Sequence, residues 1–548
     1  MIKTNLIVLA ALVISSWGLQ AQLINKDKGL ESINEQAVKA QLEFLASDWT
    51  EGRETGTQGA YMAADYIASM FKIYGLEPGG DYKPVRYRRG MSREERESIK
   101  PQREYFQKFN LIEYSPGEIQ ECELRDRNGN SIAGLKLAYN VDFSVSSGQQ
   151  GINFSGPVVF VGYGLNTDGY NEFEDVDVRG KIIMRMSGYP GHLNPESNTA
   201  SKFVEDNAMS RYMIERGKNA AASEAGAVAV IEVGRGGRGI RISPSNAGWR
   251  FNEDNWEGTE PFRQGPGKRL SRMESLSSGL TSLNLSERAM EYLLKGVDID
   301  FDEFEKNADK KAKPASFELP GKEIYLNTTV ESRIIQAQNV IGILEGNKKD
   351  ECIVLGAHYD HLGVNRNFIY NGSDDNASGT VGIMTIARAM LESGQKPEYT
   401  MVFCAWTAEE KGLIGSAYYA DNPLINDIKC YMNYDMISRV DPDDPEKNKC
   451  DFTFTNTVPA FKELTEKHIQ EYNINLDMEY KGSEMPVGGS DYSSFSRKGI
   501  PIFLLHGKFT PDYHHYTDHS DRAEIPYMTD IIKVGYLNLF ELANNYQW

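Results

Sequence analysis

The feature that most constrains this sequence is the alternation of strand-like and helix-like segments after Glu323. Short apolar runs predict buried strands, and apolar residues at every third or fourth position predict helices. The predicted strands are Asn339–Leu344, Cys352–Ala357, Thr400–Trp406, Cys430–Met436 and Ile500–Leu505, and the predicted helices are Ala377–Glu392, Leu464–Tyr472 and Met528–Ala543. This alternation predicts an α/β fold with helices on both faces of a sheet.

The residues before Glu323 form two further parts. Two helices are predicted between Asn34 and Gly75, and Gly75 ends the second of them. Between about Leu124 and Ser316 the pattern changes to short strand-like runs with many glycines, which predicts a separate β-rich part. Since 40% of the 548 residues are hydrophobic, the chain has enough apolar material for more than one folded core.

The overall charge argues against a nucleic-acid partner. The 59 basic and 78 acidic side chains give a formal net charge of −19 at pH 7. A surface of this sign repels phosphate backbones. The most basic segment, Lys83–Phe106, is interpreted as a solvated insertion, with a patch for an anionic ligand as the alternative.

The first residues predict export. Lys3 precedes an apolar run from Leu6 to Ile14 and a small or polar stretch that ends at Ala21, which is typical of a secretory signal peptide, residues 1–21. A membrane anchor is the alternative, but the run is shorter than the roughly 20 residues that a spanning helix needs. We therefore expect a periplasmic or secreted protein without stable membrane insertion. The five cysteines form no CxxC pair and argue against a disulfide scaffold, and Cys352, Cys404 and Cys430 lie in apolar strand-like runs that predict buried thiols.

Six of the eight histidines lie in two short windows, His358–His361 and His506–His519. Clustering of this kind indicates a metal site. His358 ends a predicted strand, and Asp360 points to the same side because side chains alternate along a strand. Asp360 is therefore predicted either as a metal ligand or as the carboxylate that orients the imidazole of His358. The second window contains His514, His515 and His519, with Asp518 and Asp521 nearby.

Two pairs of adjacent acidic residues also lie at the ends of predicted elements, one before a helix and one after a strand. Asp374 and Asp375 precede a predicted helix, where one acid suffices to cap the helix. Glu409 and Glu410 follow the strand Thr400–Trp406, and adjacent acids repel each other unless a cation or a proton lies between them. A solvated surface pair is the alternative interpretation of the two glutamates.

Asp435 interrupts an otherwise apolar strand. A buried carboxylate needs a cation, which is either a metal ion or a basic side chain such as Arg439. Most of these acids and imidazoles follow the carboxyl ends of predicted strands, the edge at which open α/β sheets bind ligands. Carboxylate and imidazole donors without thiolates favour zinc, and their number allows two ions that share one carboxylate.

Six segments follow one another along the chain: GAHYDHLG, SDDNASG, AEEKGLIGS, NYDMISR, GGSDYSSFSRKGIP and DYHHYTD. In this order they resemble peptidase family M28, whose members are mostly zinc aminopeptidases. The resemblance implies a mixed, mostly parallel sheet flanked by helices. The segment with FVGYGLNTDGYNEFEDVDVRGKIIMRMSGYPG and KNAAASEAGAVAVI is similar to a β-rich protease-associated domain. We therefore expect a catalytic domain from residues 22–123 and 319–548, with an inserted domain at residues 124–318.

The same resemblance implies a role for individual residues. It implies two zinc ions, one held by His358 and Asp435, the other by Glu410 and His514, with Asp375 bridging both. Glu409 matches the general base, and Asp360 matches the acid behind His358. The peptide bond after Asp375 is cis in relatives. Tyr513 precedes His514 and is predicted to donate a hydrogen bond to the oxyanion of the reaction.

The predicted function is therefore an exported zinc aminopeptidase that acts on peptides. One alternative is a carboxypeptidase or dipeptidase of the same family, and another is a peptide-binding protein without activity. A glutaminyl cyclase-like transferase is disfavoured because all five ligand positions are filled. The sequence leaves the oligomeric state and the preferred side chain of the substrate open.

Two segments are additional to this family, Lys83–Phe106 and Gly234–Gly267. Each of the two segments is expected either to border the substrate cleft or to lie on the surface of the protein. The second segment has the spacing G-x-G-x-x-G at Gly234, Gly236 and Gly239, but strand-like residues follow it instead of a helix. We therefore interpret it as a loop and not as a nucleotide site.

Overall fold

The computed structural model describes most of the chain. The described residues are 25–84, 88, 90–126, 131–139, 142–146, 150–167, 169–194, 196–203, 208–236, 239–241, 269–273, 280–365 and 368–548. The predicted signal peptide, residues 1–21, lies outside them, as does most of the segment Gly234–Gly267. Within the described ranges, no helix combines the length and the apolar character needed to cross a membrane.

Helices occur throughout the described part of the chain. They are α1 (Glu35–Leu45), α2 (Gln58–Tyr74), α3 (Arg93–Ser98), α4 (Ala208–Glu224), α5 (Glu287–Leu294), α6 (Phe301–Lys311), α7 (Gly379–Glu392), α8 (Ile414–Asp421), α9 (Ala460–Glu471), α10 (Tyr492–Ser496) and α11 (Ile525–Asn544). Short irregular helical turns span Asp48–Arg53, Ala200–Lys202, Ser373–Ser378 and Ser520–Arg522.

The strands are concentrated in two parts of the chain. Those before Lys348 are β1 (Glu77–Pro78), β2 (Phe106–Asp126), β3 (Ser131–Leu137), β4 (Phe143–Ser146), β5 (Asn153–Val161), β6 (Asn166–Thr167), β7 (Tyr170–Asn171), β8 (Ile182–Met186), β9 (Ala229–Gly236), β10 (Gly239–Arg241), β11 (Arg269–Arg272), β12 (Thr281–Leu285) and β13 (Ser316–Leu344). The later strands are β14 (Lys348–His358), β15 (Gly363–Asn365), β16 (Phe368–Tyr370), β17 (Tyr399–Trp406), β18 (Asp427–Asp435), β19 (Lys449–Thr455), β20 (Asp477–Ser483) and β21 (Ile502–His506).

The chain divides into two compact units. The first unit contains residues up to Asn110 and residues Gln336–Trp548, and the second contains Leu111–Ile335. The second unit is therefore wider at both ends than the inserted domain predicted at residues 124–318. The two division points fall within β2 and β13.

The first unit contains the mixed, mostly parallel sheet. Its strand order is β1–β13–β17–β14–β18–β21–β19–β20, and the four central strands β17, β14, β18 and β21 run parallel. The strand β13 pairs antiparallel with β17, and β21 pairs antiparallel with β19. This is the α/β architecture predicted from the sequence.

Both faces of this sheet are covered because its central strands are apolar on both sides. Along β14, Ile353 and Leu355 belong to one core, with residues of α1, α2, α7 and α11. Their neighbours Cys352 and Val354 belong to a second core with residues of α8 and α10. The period of two along a strand explains this division. All eight residues of β17 are buried, which matches a continuous apolar run in the sequence.

The helix α2 shows why the segment after Asn34 is helical. Thr57 caps the helix by accepting a hydrogen bond from the main-chain N–H of Ala60, and Gly75 ends it in the left-handed region at φ +99°. Its buried face includes Ile67 and Phe71. The predicted end of the helix at Gly75 is confirmed.

The second unit is rich in β-structure. The strands β5, β8, β9 and β12 run parallel to one another, and β13 pairs antiparallel with β5. The segment with Gly234 and Gly236, interpreted from the sequence as a loop, instead belongs to β9, which pairs antiparallel with β10. All five cysteines of the chain are buried and free, which confirms the burial predicted for Cys352, Cys404 and Cys430.

Candidate metal centre

The carboxyl ends of neighbouring parallel strands bring the candidate residues together. The strand β14 ends at His358, and β18 ends at Asp435. The strand β17 ends at Trp406, and Glu409 and Glu410 follow it directly. Because adjacent parallel strands end at the same edge of a sheet, residues distant in sequence become neighbours there.

The acid pair Asp374 and Asp375 lies in the turn before α7. The peptide bond between Asp375 and Asn376 is cis, as the resemblance implied. The carboxylate of Asp518 accepts hydrogen bonds from the main-chain N–H groups of Asp374 (3.0 Å) and Asp375 (3.2 Å). The carboxylate of Asp374 accepts from the N–H and hydroxyl of Ser438, at 2.8 and 2.9 Å. Asp374 and Asp518 therefore hold the turn, and the side chain of Asp375 is left to face the imidazoles.

One group of side chains surrounds the Nε2 atom of His358. This atom lies 3.4 Å from Oδ1 of Asp375, 3.5 Å from Oδ1 of Asp435 and 3.9 Å from Oε2 of Glu409. Nδ1 of the same ring lies 3.1 Å from the main-chain carbonyl oxygen of Asp360. Since a carbonyl only accepts, Nδ1 carries the proton of this bond, and in the neutral ring Nε2 presents a lone pair to the carboxylates.

A second group surrounds Nε2 of His514. This atom lies 3.0 Å from Oδ2 of Asp375 and 3.2 Å from Oε2 of Glu410. Asp375 therefore faces both histidines, one with each oxygen. The adjacent His515 contacts the hydroxyl of Thr517 through its Nδ1 at 2.8 Å and is not part of this group.

The spacing of these atoms fits zinc. Two donors bound at about 2.0–2.2 Å to one tetrahedral zinc ion lie roughly 3.3–3.6 Å apart. The separations around His358 and His514 fall at or near this range. Imidazole nitrogen and carboxylate oxygen are also donors that zinc prefers.

The surroundings of the two groups hold an excess of negative charge. The buried carboxyl side chains here are Asp360, Asp374, Asp375, Glu409, Glu410, Asp435, Asp491 and Asp518. Burial raises the pKa of Asp360 to about 6. Burial likewise raises the pKa values of Asp374, Asp491 and Asp518 to about 7. A buried cluster of this sign is stable only when protons or cations are taken up, which makes it suited to divalent ions.

The pKa values of His358, His514 and Glu410 also reflect this concentration of charge. Burial opposes protonation of His514, but the charges of Glu410 and Asp375 outweigh it and raise the pKa to about 10. Burial likewise opposes protonation of His358, and Glu409 and Asp435 raise its pKa well above the usual range. Burial alone would raise the pKa of Glu410, yet the nearby imidazoles hold it well below its ordinary value. The site therefore binds positive charge strongly at its donor atoms.

Glu409 and Asp360 are linked through the main chain. The N–H of Glu409 donates to Oδ1 of Asp360 at 3.1 Å, and the hydroxyl of Thr55 donates to Oδ2 at 3.0 Å. The carboxylate of Asp360 lies 3.9 Å from Nδ1 of His358, whose hydrogen bond goes to the Asp360 carbonyl instead. Burial raises the pKa of Glu409 well above its usual range, and the charges of Glu410 and Asp491 add to this.

Tyr513 lies against the second group. Its ring stacks on His514 with centroids 3.9 Å apart and an interplanar angle of 24°. Burial and the charges of Asp375 and Glu410 raise the pKa of Tyr513 above its ordinary value, so its hydroxyl keeps its proton at neutral pH. The side chain is thus a hydrogen-bond donor beside the centre.

The basic side chain considered as an alternative partner for Asp435, that of Arg439, forms an ion pair with a different residue. Arg439 pairs with Asp512 at 2.8 Å. Asp435 instead faces His358, which favours the metal interpretation of its burial.

Sequence reasoning missed two buried cationic or imidazole side chains of this region. Arg53 is completely buried and donates hydrogen bonds to four main-chain carbonyls, those of Leu45, Tyr359, Asn371 and Gly372, at 2.5–2.8 Å. His361 is also completely buried and contacts Glu410. His361 lies within the first histidine window, but no sequence pattern indicated its role, and Arg53 carried no signal that separates it from a surface arginine.

A cavity of about 280 Å³ opens beside the two groups. Its lining includes the centre itself and, further out, Met436, Asp451, Thr453, Leu504, His506 and Phe509. Neither lysine nor arginine is among the described residues that line it. The ring of Phe509 is 64% exposed and lies 5.0 Å from that of Tyr513, so Phe509 forms part of the rim.

Solved structures share this fold over nearly the whole chain. The aminopeptidase of Aneurinibacillus sp. strain AM-1 aligns with a TM-score of 0.58 and 17% identity, over 95% of this chain and 97% of that one. BSAP, a zinc aminopeptidase from Bacillus subtilis, aligns with a TM-score of 0.53 and 16% identity, over 94% and 96%. At these identities the likeness shows the fold alone, which is a mixed α/β fold.

Sequence comparison matches part of the chain to a known family. Residues 339–534 match the family described as Peptidase family M28. Leucine aminopeptidase 2 of Trichophyton equinum is 30% identical over 166 residues, and that of Trichophyton rubrum is 31% identical over the same length. These matches cover 30% of this chain and 32% of each relative, so the chain spans about a third of the curated relatives that it matches.

Proposed function

We propose that this protein is a two-zinc aminopeptidase that removes residues from the N-termini of peptides. The observation that carries the proposal is the position of Asp375, whose two carboxylate oxygens face His358 and His514 separately. Each side also holds a further carboxylate, Asp435 on one side and Glu410 on the other. A carboxylate shared between two donor sets would be a ligand to both members of a two-metal site.

In this proposal His358, Asp435 and Asp375 would hold one zinc ion, and His514, Glu410 and Asp375 would hold the other. When bound, the ions polarise the carbonyl of the scissile bond and lower the pKa of water towards neutrality. The remaining chemistry belongs to the side chains of the chain itself.

Glu409 is the proposed proton carrier. Its carboxylate faces the centre but lies further from His358 Nε2 than the carboxylates of Asp375 and Asp435. A carboxylate with a raised pKa accepts a proton from the attacking water and later donates it to the leaving amine. The carboxylate of Asp360 holds the main chain of Glu409 in place.

Tyr513 is the proposed donor to the oxyanion. Because its hydroxyl stays protonated beside the centre, it stabilises negative charge that develops on the carbonyl oxygen in the transition state.

The lining of the cavity supports an aminopeptidase rather than a carboxypeptidase. A carboxypeptidase must neutralise the terminal carboxylate of its substrate, which proteins do with arginine or lysine. The described lining residues include neither, whereas Glu409, Asp435 and Asp451 are acidic. An acidic cavity attracts a free α-ammonium group.

The substitution Glu409→Gln tests the mechanism. We expect this variant to keep its zinc content and to lose about 100- to 10,000-fold in turnover, because only the proton transfer is removed. Glu471→Gln, an exposed residue at the end of α9, is the control and should behave as the wild type. Zinc content is measured by elemental analysis and turnover with short peptides.

The same assay separates the competing functions. An aminopeptidase cleaves free peptides and not their N-acetylated forms, whereas a carboxypeptidase cleaves both. A binding protein cleaves neither, with or without a chelator. Normal turnover of Glu409→Gln would contradict the proposed mechanism, and cleavage of acetylated peptides would contradict the proposed end-specificity.

We also propose that the protein is exported to the periplasm or secreted after cleavage near Ala21. The basis is the sequence of residues 1–21, a short apolar run between a lysine and small residues. N-terminal sequencing of the protein from its native host should begin near Gln22, and a chain that keeps its first residues would contradict the proposal.

A further inference from the structure

A completely buried histidine lies directly behind one carboxylate of the centre. Nδ1 of His361 is 2.7 Å from Oε1 of Glu410, and the other oxygen of that carboxylate, Oε2, is 3.2 Å from Nε2 of His514. The two oxygens of Glu410 thus have different partners. His361 is farther from the bridging carboxylate, with 3.8 Å between its Nδ1 and Oδ2 of Asp375.

The ring of His361 is fixed in this position. Gly372 packs against it so closely that a Cβ atom there would come within 2.4 Å of the ring, and Gly372 has a left-handed φ of +55°. The ring of His514 stands edge-on at 5.8 Å. Nε2 of His361 is buried and has no hydrogen-bond partner among the described residues. The contact with Glu410 is therefore the hydrogen bond that determines the orientation of this ring.

We propose that His361 is a positioning residue that makes Glu410 a single-oxygen ligand for one of the two ions. This inference rests on the metal site of the proposed function. The Nδ1–H group donates to Oε1, which leaves Oε2 for the ion shared with His514 and Asp375. A carboxylate held in this way needs no rotation when it binds metal, and such partners of ligands typically change metal affinity about 10- to 100-fold.

The effect should be confined to one ion. His361 contacts Glu410, whereas the donor atoms of His358 and Asp435 lie in the other group. Removing the hydrogen bond should therefore weaken the ion at His514 and leave the ion at His358 nearly unchanged. A general loss of packing would weaken both ions together.

The experiment compares two substitutions of His361. His361→Phe fills the space but removes the donor, and His361→Asn retains an N–H donor near the position of Nδ1. Zinc bound per chain is measured by elemental analysis after equilibration of the full-length protein with zinc buffers of graded free concentration. We expect His361→Phe to bind one ion about 10- to 100-fold more weakly and the other as the wild type does. His361→Asn should bind both ions within a few-fold of the wild type.

His468→Phe is the matched control. His468 is also completely buried, its Nδ1 lies 2.8 Å from Oδ1 of Asn538, and its Nε2 has no hydrogen-bond partner among the described residues. It lies in α9, which carries no residue of the centre. His468→Phe should lower thermal stability without changing either zinc affinity.

Each other outcome overturns a specific statement. Unchanged affinities in His361→Phe, or equal weakening of both ions, would overturn the positioning role while the two-zinc proposal stands. Weakening of one ion in His361→Asn as severe as in His361→Phe would show that His361 binds metal itself. A wild-type protein that binds fewer than two zinc ions would overturn the proposed function and this inference with it.

Discussion

Single residues show how much of this protein depends on buried charge. Arg53 lies in a turn before α2 and keeps its charge although burial lowers its pKa to about 10, because acids such as Asp518 and Asp360 oppose the effect. Its hydrogen bonds join the residue after β14 to the turn that precedes Asp375. The position of the bridging acid thus depends on a side chain outside the centre.

The substitution Arg53→Met should be strongly destabilising. It leaves several buried carbonyls without a donor and removes a charge that faces the acids, for which the expected loss in the free energy of unfolding is about 3–5 kcal/mol. Lys39→Met, at a side chain that is 60% exposed, should change it by less than about 0.5 kcal/mol. Urea unfolding of both variants measures the difference, and a similar effect of the two substitutions would contradict this role of Arg53.

Glu172, a residue of the second unit, makes a pH-dependent contribution to the free energy of unfolding. The residue is buried, and it accepts hydrogen bonds from the N–H groups of Tyr163 and Leu165 and from the hydroxyl of Tyr170. Burial raises its pKa from 4.5 to about 7. A carboxyl whose pKa is higher in the folded state stabilises the fold below its unfolded pKa, and this stability is lost as the pH rises through the folded pKa.

We therefore expect Glu172 to favour unfolding increasingly between pH 4.5 and pH 7. Over this interval its contribution should fall by about 3 kcal/mol. Glu172→Gln keeps the shape and does not titrate, so its unfolding free energy relative to the wild type should rise by that amount from pH 4.5 to pH 8. A difference that does not vary with pH would show that Glu172 titrates normally.

At the scale of elements, the centre depends on how closely three strands approach. Gly356 lies in β14, two residues before His358, and a Cβ atom there would come within 2.3 Å of Nε1 of Trp406 and 2.6 Å of the hydroxyl of Tyr431. These two side chains belong to the neighbouring strands and are hydrogen-bonded to each other at 2.9 Å. A residue larger than glycine cannot occupy this position without displacing the side chain of Trp406 or Tyr431.

Gly356→Ala should cost about 1–3 kcal/mol in the free energy of unfolding through overpacking, and it should also weaken zinc binding because the end of β14 carries His358. Gly217→Ala is the matched control. Gly217 lies in α4 with no atom within 4 Å of an added Cβ, so alanine should stabilise the helix by up to about 1 kcal/mol. Thermal unfolding of both variants gives the signs of the two effects, and destabilisation by both would indicate that the contact at Gly356 is not the cause.

Agreement between sequence and structure also varies by element. The central strands β14, β17, β18 and β21 were predicted because their buried residues form continuous apolar runs. The strands β19 and β20 were not predicted. The first alternates buried and half-buried residues, and the second contains only half-buried and exposed ones. The strand β20 lies at the edge of this sheet and β19 lies next to it, and strands there carry a weaker apolar signal because they bury less of their surface.

At the scale of the whole molecule, the excess of buried acids should couple the proposed zinc binding to stability. The folded chain gathers these carboxylates and the unfolded chain separates them, so zinc should bind the folded form preferentially. Zinc at a free concentration 1,000-fold above its dissociation constant then stabilises the fold by about 4 kcal/mol for each site.

Removal of zinc by a chelator should therefore lower the midpoint of thermal unfolding, and addition of zinc should restore it. Calorimetry of the loaded, stripped and reloaded protein provides the measurement. An unchanged midpoint after complete removal of the metal would show that the buried acids of the centre are neutralised by protons alone.

The sequence by itself determined the α/β class, the central elements and the set of acids and imidazoles to compare. It did so because burial and backbone periodicity leave local patterns, and because the family motifs occur in order along the chain. The tertiary structure alone decided that Asp374 faces Ser438, that Arg53 is buried among carbonyls, and that His361 lies behind Glu410. These contacts join residues up to 319 positions apart, and their geometry results from the packing of all strands and helices together, which no local pattern encodes.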